Sequence, residues 1–333
     1  MKIRLAQYGI SHDHASGKAR VMQGNDEVDF CGVFEPTPDT RNTLGNGPPY
    51  DSVHWFSSKE EMLEDETIVG IAIQGKVSEN LGFAREALAH GKHVWLDKPA
   101  GDDLEAFRTV LDIAREKGLL VQLGYMFRYN AGFQFILDWA WSGKLGDIFS
   151  VRGRIASGGS TEDAWKLWDS RGEREGGIMF ILACHLIDIF VALLGSPDRV
   201  TPFLKNEDKD FPWYQDNTTA VFEYPNAMAV IESTGLEVSS GASRRLEVYG
   251  SRGSAILEPL EPPALRLCLD EARDGYAEGW QTVPVENRPR YVESLRAFIA
   301  DIRGEKSPDR SLDHEFTVQE TALRAAGMID GNG

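Results

Sequence analysis

The 333-residue chain is poor in cysteine, in positive charge and in long apolar runs. Cys31, Cys184 and Cys268 stand far apart and form no C-x-x-C pair. That excludes a thiolate metal site, argues against a disulfide framework, and leads us to expect a reducing compartment. Lys and Arg number 35 against 52 Asp and Glu, a net charge of −17. Neither nucleic acid nor an anionic membrane surface is therefore expected as a partner, although an acidic surface also serves plain solubility. No stretch approaches the ~18 consecutive apolar residues of a spanning helix. The opening MKIRLAQYGI runs straight into a strand-like segment with no apolar leader, so the cytoplasm is the expected location. Internal repeats and low-complexity tracts are also lacking.

What is present is a 42% apolar fraction, enough for a sizeable core. The length suits two domains of roughly 100–200 residues each. The first third alternates strand and helix. KIRLAQYG, VDFCGVFE, SVHWF, TIVGIAIQG, KHVWLDKP and LLVQLGYMF read as strands. Between them lie helical segments: ASGKARVMQ, SSKEEMLED with a capping box from Ser58 to Glu61, SENLGFAREALAHG with Ser78 as cap, and DLEAFRTVLDIAREKG. This alternation predicts βαβ units and a parallel sheet covered on both faces.

After about residue 124 the pattern changes. Helices are expected at 133–142 and 177–194, with a strand in DIFSVRGRIAS between them. AVFEYP, AMAVIES, RRLEVYG, SAILEP and ALRLCLD then follow without intervening helices and predict a mostly antiparallel sheet. Two helices close the chain, at 291–303 and 313–326. The expected division is a dinucleotide-binding Rossmann domain over 1–123 and an α/β domain for substrate binding and oligomerisation over 124–333.

Three stretches carry chemistry. The first is GISHDHASG, residues 9–17, between a strand and a helix. It reads either as an altered nucleotide loop or as a metal site. A G-x-G-x-x-G pattern would fall on Gly9, Ser11 and His14, and only Gly9 matches. Ser11 can donate to a phosphate at the helix N-terminus, and His12 or His14 can reach toward a ligand. The metal reading needs three or four converging ligands, and His-x-His gives two. No spacing brings His54, His90 or His93 to it, so no metal is expected. Glu35 ends the next strand, where it is either a solvated strand end or the acceptor of a ribose 2′-hydroxyl. In the second role it favours NAD over NADP.

The second stretch is HVWLDKPAG, which puts Asp97 and Lys98 at the C-terminal end of a parallel strand, where open α/β sheets bind ligands. The third is GGIMFILACHLIDIFVALLG. His185 and Asp188 share one face of an apolar helix, either as a satisfied core pair or as working groups.

In this order the three stretches resemble the Gfo/Idh/MocA family of oxidoreductases. EALAHGKHVWLDKPAG is similar to the family's A-L-x-x-G-K-H-V-x-x-E-K-P block, with Asp97 in place of the common Glu. CHLIDIFVALLG resembles its C-H-x-I-D helix, RRLEVYGSRGSAIL its sheet hairpin and LDHEFTVQETALRAAG its terminal helix. The resemblance implies a Rossmann domain followed by an α/β domain with an open-faced, mostly antiparallel sheet. It also implies hydride transfer between a nicotinamide cofactor and a hydroxyl carbon of a sugar, cyclitol or related polyol. Lys98 would hydrogen-bond the reacting oxygen and His185 would exchange its proton. The chemistry is coherent: an imidazole titrates near pH 6.5, and a Lys ammonium stabilises alkoxide charge.

Two departures stand out. Many members carry an Asp four residues before the helix His, and here that position is Ile181. Asp188 is either its substitute or structural. The family's Thr-Pro pair and following His are replaced in IQGKVSEN, where Gln74 and Asn80 become the cofactor-side candidates. Tyr125, Arg128 and Asn130 fall where the family has a loop bordering the substrate. Trp165, Lys166, Trp168, Asp169 and Arg171 form an aromatic and charged cluster that suits a sugar ring or packs on the core. An exposed sheet face predicts a homodimer or homotetramer. Two other functions fit the same residues: a sugar elimination or epimerisation assisted by tightly held NAD, and a non-catalytic sugar or NAD sensor.

Overall fold

The computed structural model describes residues 2–158, 176–208 and 214–332. They divide into two compact units, the first of which contains residues 2–125 and 289–316. The first unit runs to Tyr125, two residues past the boundary expected after residue 123, and a later segment returns to it.

The first unit holds a five-stranded parallel sheet in the order β2-β1-β3-β4-β5. Its strands are β1 (Ile3–Tyr8), β2 (Val28–Phe34), β3 (Gly70–Ile73), β4 (His93–Leu96) and β5 (Val121–Leu123). The strand order reverses between β1 and β3, the kind of point outside whose strand ends a doubly wound sheet binds its ligand. The expected SVHWF strand is reduced to one isolated bridge between Val33 and Trp55.

The helices of this unit are α1 (Ala15–Gln23), α2 (Pro38–Leu44), α3 (Lys59–Leu63), α4 (Val77–Ala89) and α5 (Leu104–Lys117). Local chemistry sets their ends. Ser58 Oγ accepts the Glu61 N–H at 3.2 Å, but the Glu61 carboxylate reaches back to Ser57 rather than to Ser58. The start of α4 is two residues earlier than the Ser78 cap predicts, with Lys76 at the cap and Glu79 accepting the Lys76 N–H at 3.1 Å. At α5, Asp103 caps the Ala106 N–H at 2.9 Å, and Gly118 ends the helix at φ +64°. Phe107, Val110, Leu111 and Ala114 form its buried stripe.

The second unit carries an eight-stranded sheet in the order β13-β12-β11-β10-β6-β9-β8-β7. In chain order the strands are β6 (Ile148–Ala156), β7 (Arg199–Lys205), β8 (Asn217–Glu223), β9 (Met228–Thr234), β10 (Arg245–Gly250), β11 (Gly253–Leu257), β12 (Leu265–Leu269) and β13 (Gly279–Val283). All pairings are antiparallel except β6 with β9. Helix α6 (Ala131–Trp141) and helix α7 (Cys184–Leu194) also belong to this unit. Leu186 and Phe190 of α7 lie against Gly153 of β6, where a Cβ would come within 2.8 Å of Leu186. The opposite face carries Phe203, Met228 and Trp280, each more than half exposed.

Two strands were not foreseen, β7 and β13. Both lie at sheet edges, and β7 contains Pro202, which an edge tolerates and a sequence pattern penalises. The single helix expected over 177–194 is instead a π-helical turn, Met179–Ala183, followed by α7. The closing helices are α8 (Val292–Ile302) and α9 (Leu312–Ala325). Leu295, Phe298 and Ile299 of α8 pack with Ile3, Leu5 and Trp95, which makes α8 part of the first unit's core. No helix among the described residues is long and apolar enough to cross a membrane.

Candidate functional site

In the first unit, β1 leads into the 9–14 loop. Gly9 adopts φ +83°, and a Cβ there would lie 2.6 Å from the Gly75 N, so only glycine lets the ends of β1 and β3 approach this closely. The loop is pinned by its own amides. Gly9 N–H donates to Phe34 O at 2.7 Å, and His12 N–H to Gln74 O at 3.0 Å. Glu35 is buried at the end of β2. One carboxylate oxygen accepts the Ile10 N–H at 2.8 Å and the other the Thr37 N–H at 2.9 Å. Burial raises the Glu35 pKa, against the lowering effect of those two hydrogen bonds. The expected ribose acceptor is therefore a tethered carboxylate rather than a solvated strand end. Ser11 is buried at the loop tip, ahead of α1.

Asp97 and Lys98 follow β4. Asp97 is fully buried. Its Oδ1 accepts the Lys98 N–H at 2.8 Å and the His14 Nδ1–H at 3.0 Å. Its Oδ2 lies 3.0 Å from Lys18 Nζ, a contact that is an ion pair rather than an aligned hydrogen bond. Burial alone would raise the Asp97 pKa. The positive neighbours and the His14 hydrogen bond outweigh it and hold the carboxyl well below its ordinary value. Lys18 is fully buried and lies 4.2 Å from the Trp95 ring centroid. Gly124 leaves room for the pair, since a Cβ there would sit 2.8 Å from Asp97 Oδ1 and 2.9 Å from Lys18 Nζ.

His12 completes the cluster. Its Nδ1 accepts the His14 N–H at 3.1 Å, so the proton resides on Nε2, which donates to the Lys98 carbonyl at 3.0 Å. Burial pushes the His12 pKa down to about 3, against the pull of Asp97, and the ring is neutral at ordinary pH. His14 is lowered as well, again chiefly by burial.

His12, His14 and Asp97 offer ligand atoms within 4.8 Å of one another, so the third metal-type residue is Asp97 rather than His54, His90 or His93. Those three histidines face Glu61, the Glu86 carbonyl and the Leu120 N–H respectively. Several of the cluster's ligand atoms are already engaged. His12 Nδ1 faces an N–H, His14 Nδ1 carries a proton toward Asp97, and Asp97 faces the Lys18 ammonium. A divalent ion would have to break these contacts and stand beside a buried cation. The arrangement suits a hydrogen-bonded ion-pair network better than a metal centre.

Gln74 and Asn80 stand beside this network. Gln74 follows β3, and Asp97 N–H donates to Ile73 O at 3.2 Å across the adjacent strand ends. Both side chains are fully buried, and Gln74 Oε1, Asn80 Nδ2 and Asn80 Oδ1 have no hydrogen-bond partner among the described residues. Buried polar atoms without partners cost free energy, so a polar ligand at this strand end would satisfy them. This chemistry fits a nicotinamide dinucleotide. Gly9 and Ser11 would face its phosphates, Glu35 its adenosine ribose, and Gln74, Asn80 and Lys98 its nicotinamide half, while the His12 ring is engaged by Lys98 and His14. Tyr125, at the end of this unit, is buried.

In the second unit, His185 lies buried in the first turn of α7, its ring centroid 5.2 Å from that of Phe127. The π-helical turn containing Ile181 precedes it, a feature frequent at functional sites. Asp188, the candidate substitute for the family's carboxylate, is engaged by Arg128. It is fully buried and accepts from Arg128 Nε at 3.0 Å and Nη2 at 2.7 Å. Arg128, expected at the substrate, forms this buried bidentate pair, and Asn130 caps α6 by accepting the Gly132 N–H at 2.9 Å. Trp165, Lys166, Trp168, Asp169 and Arg171 lie outside the described residues.

Sequence reasoning missed Lys18 and Gly124. A signal for Lys18 was available: Ala15, Lys18, Ala19 and Met22 form one buried helical stripe, which points the lysine inward. No local signal marks Gly124.

Comparison with known proteins agrees with this geometry. Residues 13–125 match the pattern described as the oxidoreductase family, NAD-binding Rossmann fold, and residues 133–256 match the GFO/IDH/MocA C-terminal domain. Among relatives, the uncharacterized oxidoreductase YdgJ of Escherichia coli (strain K12) is 27% identical over 219 residues, 66% of this chain and 62% of that protein. The scyllo-inositol 2-dehydrogenase (NADP(+)) IolW of Bacillus subtilis (strain 168) is 22% identical over 256 residues, 77% of this chain and 68% of that protein. The chain spans about three fifths of the length of the first curated relatives it matches. In fold, it resembles the UDP-N-acetylglucosamine 3-dehydrogenase GnnA of Acidithiobacillus ferrooxidans, with a TM-score of 0.79 at 16% identity over 99% of this chain and 98% of that one. With its dinucleotide-binding domain and its C-terminal domain both matched, the chain belongs to the Gfo/Idh/MocA family of NAD(P)-binding oxidoreductases.

Proposed function

We propose that the chain exchanges hydride between a nicotinamide cofactor, NAD in preference to NADP, and a CH–OH carbon of a sugar, cyclitol or related polyol. The observation that carries the reading is the end of β3 and β4. Lys98 is fixed there by both of its peptide groups, beside the buried, unpartnered polar atoms of Gln74 and Asn80. The relative IolW, named a scyllo-inositol dehydrogenase, supports the substrate class. Glu35 supports NAD, because a carboxylate tethered at that position repels a 2′-phosphate.

A bound nicotinamide ring would supply the hydride acceptor. The rest falls to the chain. The Lys98 side chain donates a hydrogen bond to the substrate hydroxyl oxygen and stabilises the charge that grows on it. His185 takes the hydroxyl proton as general base, and its burial keeps bulk water from competing for that proton. The two residues belong to different compact units, and each assignment rests on its own surroundings and on the family resemblance. Gly9, Ser11, His12, His14, Glu35, Gln74, Asn80 and Asp97 form the cofactor side. Tyr125, Trp165, Trp168 and Asp169 are substrate-side candidates, and Arg128, expected among them, is held by Asp188. The exposed Phe203, Met228 and Trp280 favour a homo-oligomer built on the open sheet face. No metal takes part, and a cytoplasmic setting fits the lone cysteines.

The test is a panel of sugars, cyclitols and polyols assayed with NAD and with NADP. Net cofactor reduction by at least one compound, faster with NAD, is expected. Turnover without net reduction would replace this reading with a transient oxidation that permits elimination or epimerisation. Tight binding of cofactor and sugar with no exchange at all would leave a sensor.

A further inference from the structure

The nucleotide loop holds two histidines where the usual pattern has glycine or a variable residue, and cofactor binding alone does not explain why one of them turns inward. The His12 ring turns onto the backbone of Lys98. The lysine's N–H is held by Asp97 Oδ1 at 2.8 Å and its C=O by His12 Nε2–H at 3.0 Å. Each holder is itself fixed. The His14 N–H faces His12 Nδ1, while His14 Nδ1–H and the Lys18 ammonium face the two oxygens of Asp97. All four residues belong to the first unit.

We propose that His12 and Asp97, backed by His14 and Lys18, form a clamp that grips both peptide groups of Lys98 and sets the point from which its side chain reaches the substrate. His12 is thus a positioning residue. The proposal rests on Lys98 being the residue that meets the reacting oxygen. A side chain launched from a backbone fixed on both sides keeps its geometry without rearrangement during the reaction, and misplacement by about 1 Å can cost 10²-fold in rate. The clamp needs a neutral imidazole with its proton on Nε2. The groups facing that ring are Asp97, His14, Lys98 and Lys18, and its burial favours the neutral form.

The two functions of the His12 ring can be separated by substitution. In His12→Asn the side-chain oxygen can still accept the His14 N–H, but the amide is too short to reach the Lys98 carbonyl. His12→Gln carries an N–H₂ out to the former Nε2 position. The clamp predicts that His12→Asn folds and lowers kcat about 10–100-fold with a small change in KM. It predicts that His12→Gln recovers at least half of that loss on a logarithmic scale. Equal kcat in the two variants, or kcat at the wild-type value in His12→Asn, would overturn it.

A second readout needs no turnover. Reductive methylation of Lys98, followed by mass spectrometry on the intact protein, should change rate in His12→Asn and return toward wild type in His12→Gln. If the methylation rates behave this way while no substrate exchanges hydride, the clamp stands and the oxidoreductase reading falls. If turnover is present and neither kcat nor labelling distinguishes the variants, the clamp falls alone. Stoichiometric zinc or nickel in the purified protein, lost in both variants, would also overturn it by making His12 a ligand.

Discussion

Glu35 closes the nucleotide loop on itself: its carboxylate accepts the Ile10 N–H from the loop after β1 at 2.8 Å and the Thr37 N–H at 2.9 Å. One side chain therefore shapes the loop and, in the function proposed above, also meets the adenosine ribose.

Replacing it with Ser should remove the repulsion toward a 2′-phosphate. The ratio of kcat/KM for NAD over NADP should fall at least tenfold, about 1.4 kcal/mol of discrimination. Parallel titrations with the two cofactors check this. An unchanged ratio would mean that Glu35 serves the loop alone.

The Arg128–Asp188 pair makes a prediction about stability. Both side chains are buried, and the contact is bidentate. Asp188→Leu strands a buried guanidinium and should cost about 3–5 kcal/mol. The double replacement Arg128→Met with Asp188→Leu should cost less than either single change, because no unpaired charge remains. Thermal unfolding of the four proteins measures the coupling. Additive losses would return Arg128 to a direct role at the substrate.

Acid should destabilise the first unit through His12. Its folded pKa is depressed to about 3 by burial, whereas the unfolded chain binds the proton near 6.5. The folded form therefore takes up fewer protons. The stability that neutral His12 contributes is complete above about pH 6.5 and is lost as pH falls toward 3, with a slope approaching about 1.4 kcal/mol per pH unit. His14 and Asp97 are depressed in the same sense, Asp97 acting below the ordinary carboxylate range. Melting temperatures at about pH 7.5 and about pH 5 should therefore differ more for the wild type than for His12→Gln.

Much of this architecture is written locally in the chain. Helix α5 is legible because its apolar stripe, its Asp103 cap and its Gly118 stop all lie within sixteen neighbouring positions. The strand that delivers Asp97 and Lys98 is legible because buried parallel strands read as short apolar runs. What failed was long-range. SVHWF has the composition of a strand but makes one bridge only: His54 O and Phe56 N–H both bond to Val33, while Val53 N–H turns back to Tyr50 O. Pro202 and Gly279 hid two edge strands. The return of α8 to the first core depends on Leu295 and Phe298 meeting Trp95, which no local pattern encodes. At the site, Lys98, Gly9 and Glu35 were visible from position along the strands. The partners of Asp97 were not, because Lys18 and His14 reach it from about eighty residues away and a helical lysine reads as solvated.

The central claim is that Lys98 does chemistry at a bound nicotinamide cofactor rather than merely holding it. Lys98→Met, assayed with the best substrate of the panel and titrated separately with NAD, tests this most directly. The account predicts a fall in kcat of about 10²–10³-fold with NAD affinity within a few fold of wild type. Unchanged kcat, or a loss of NAD affinity large enough to explain the whole effect, would contradict it.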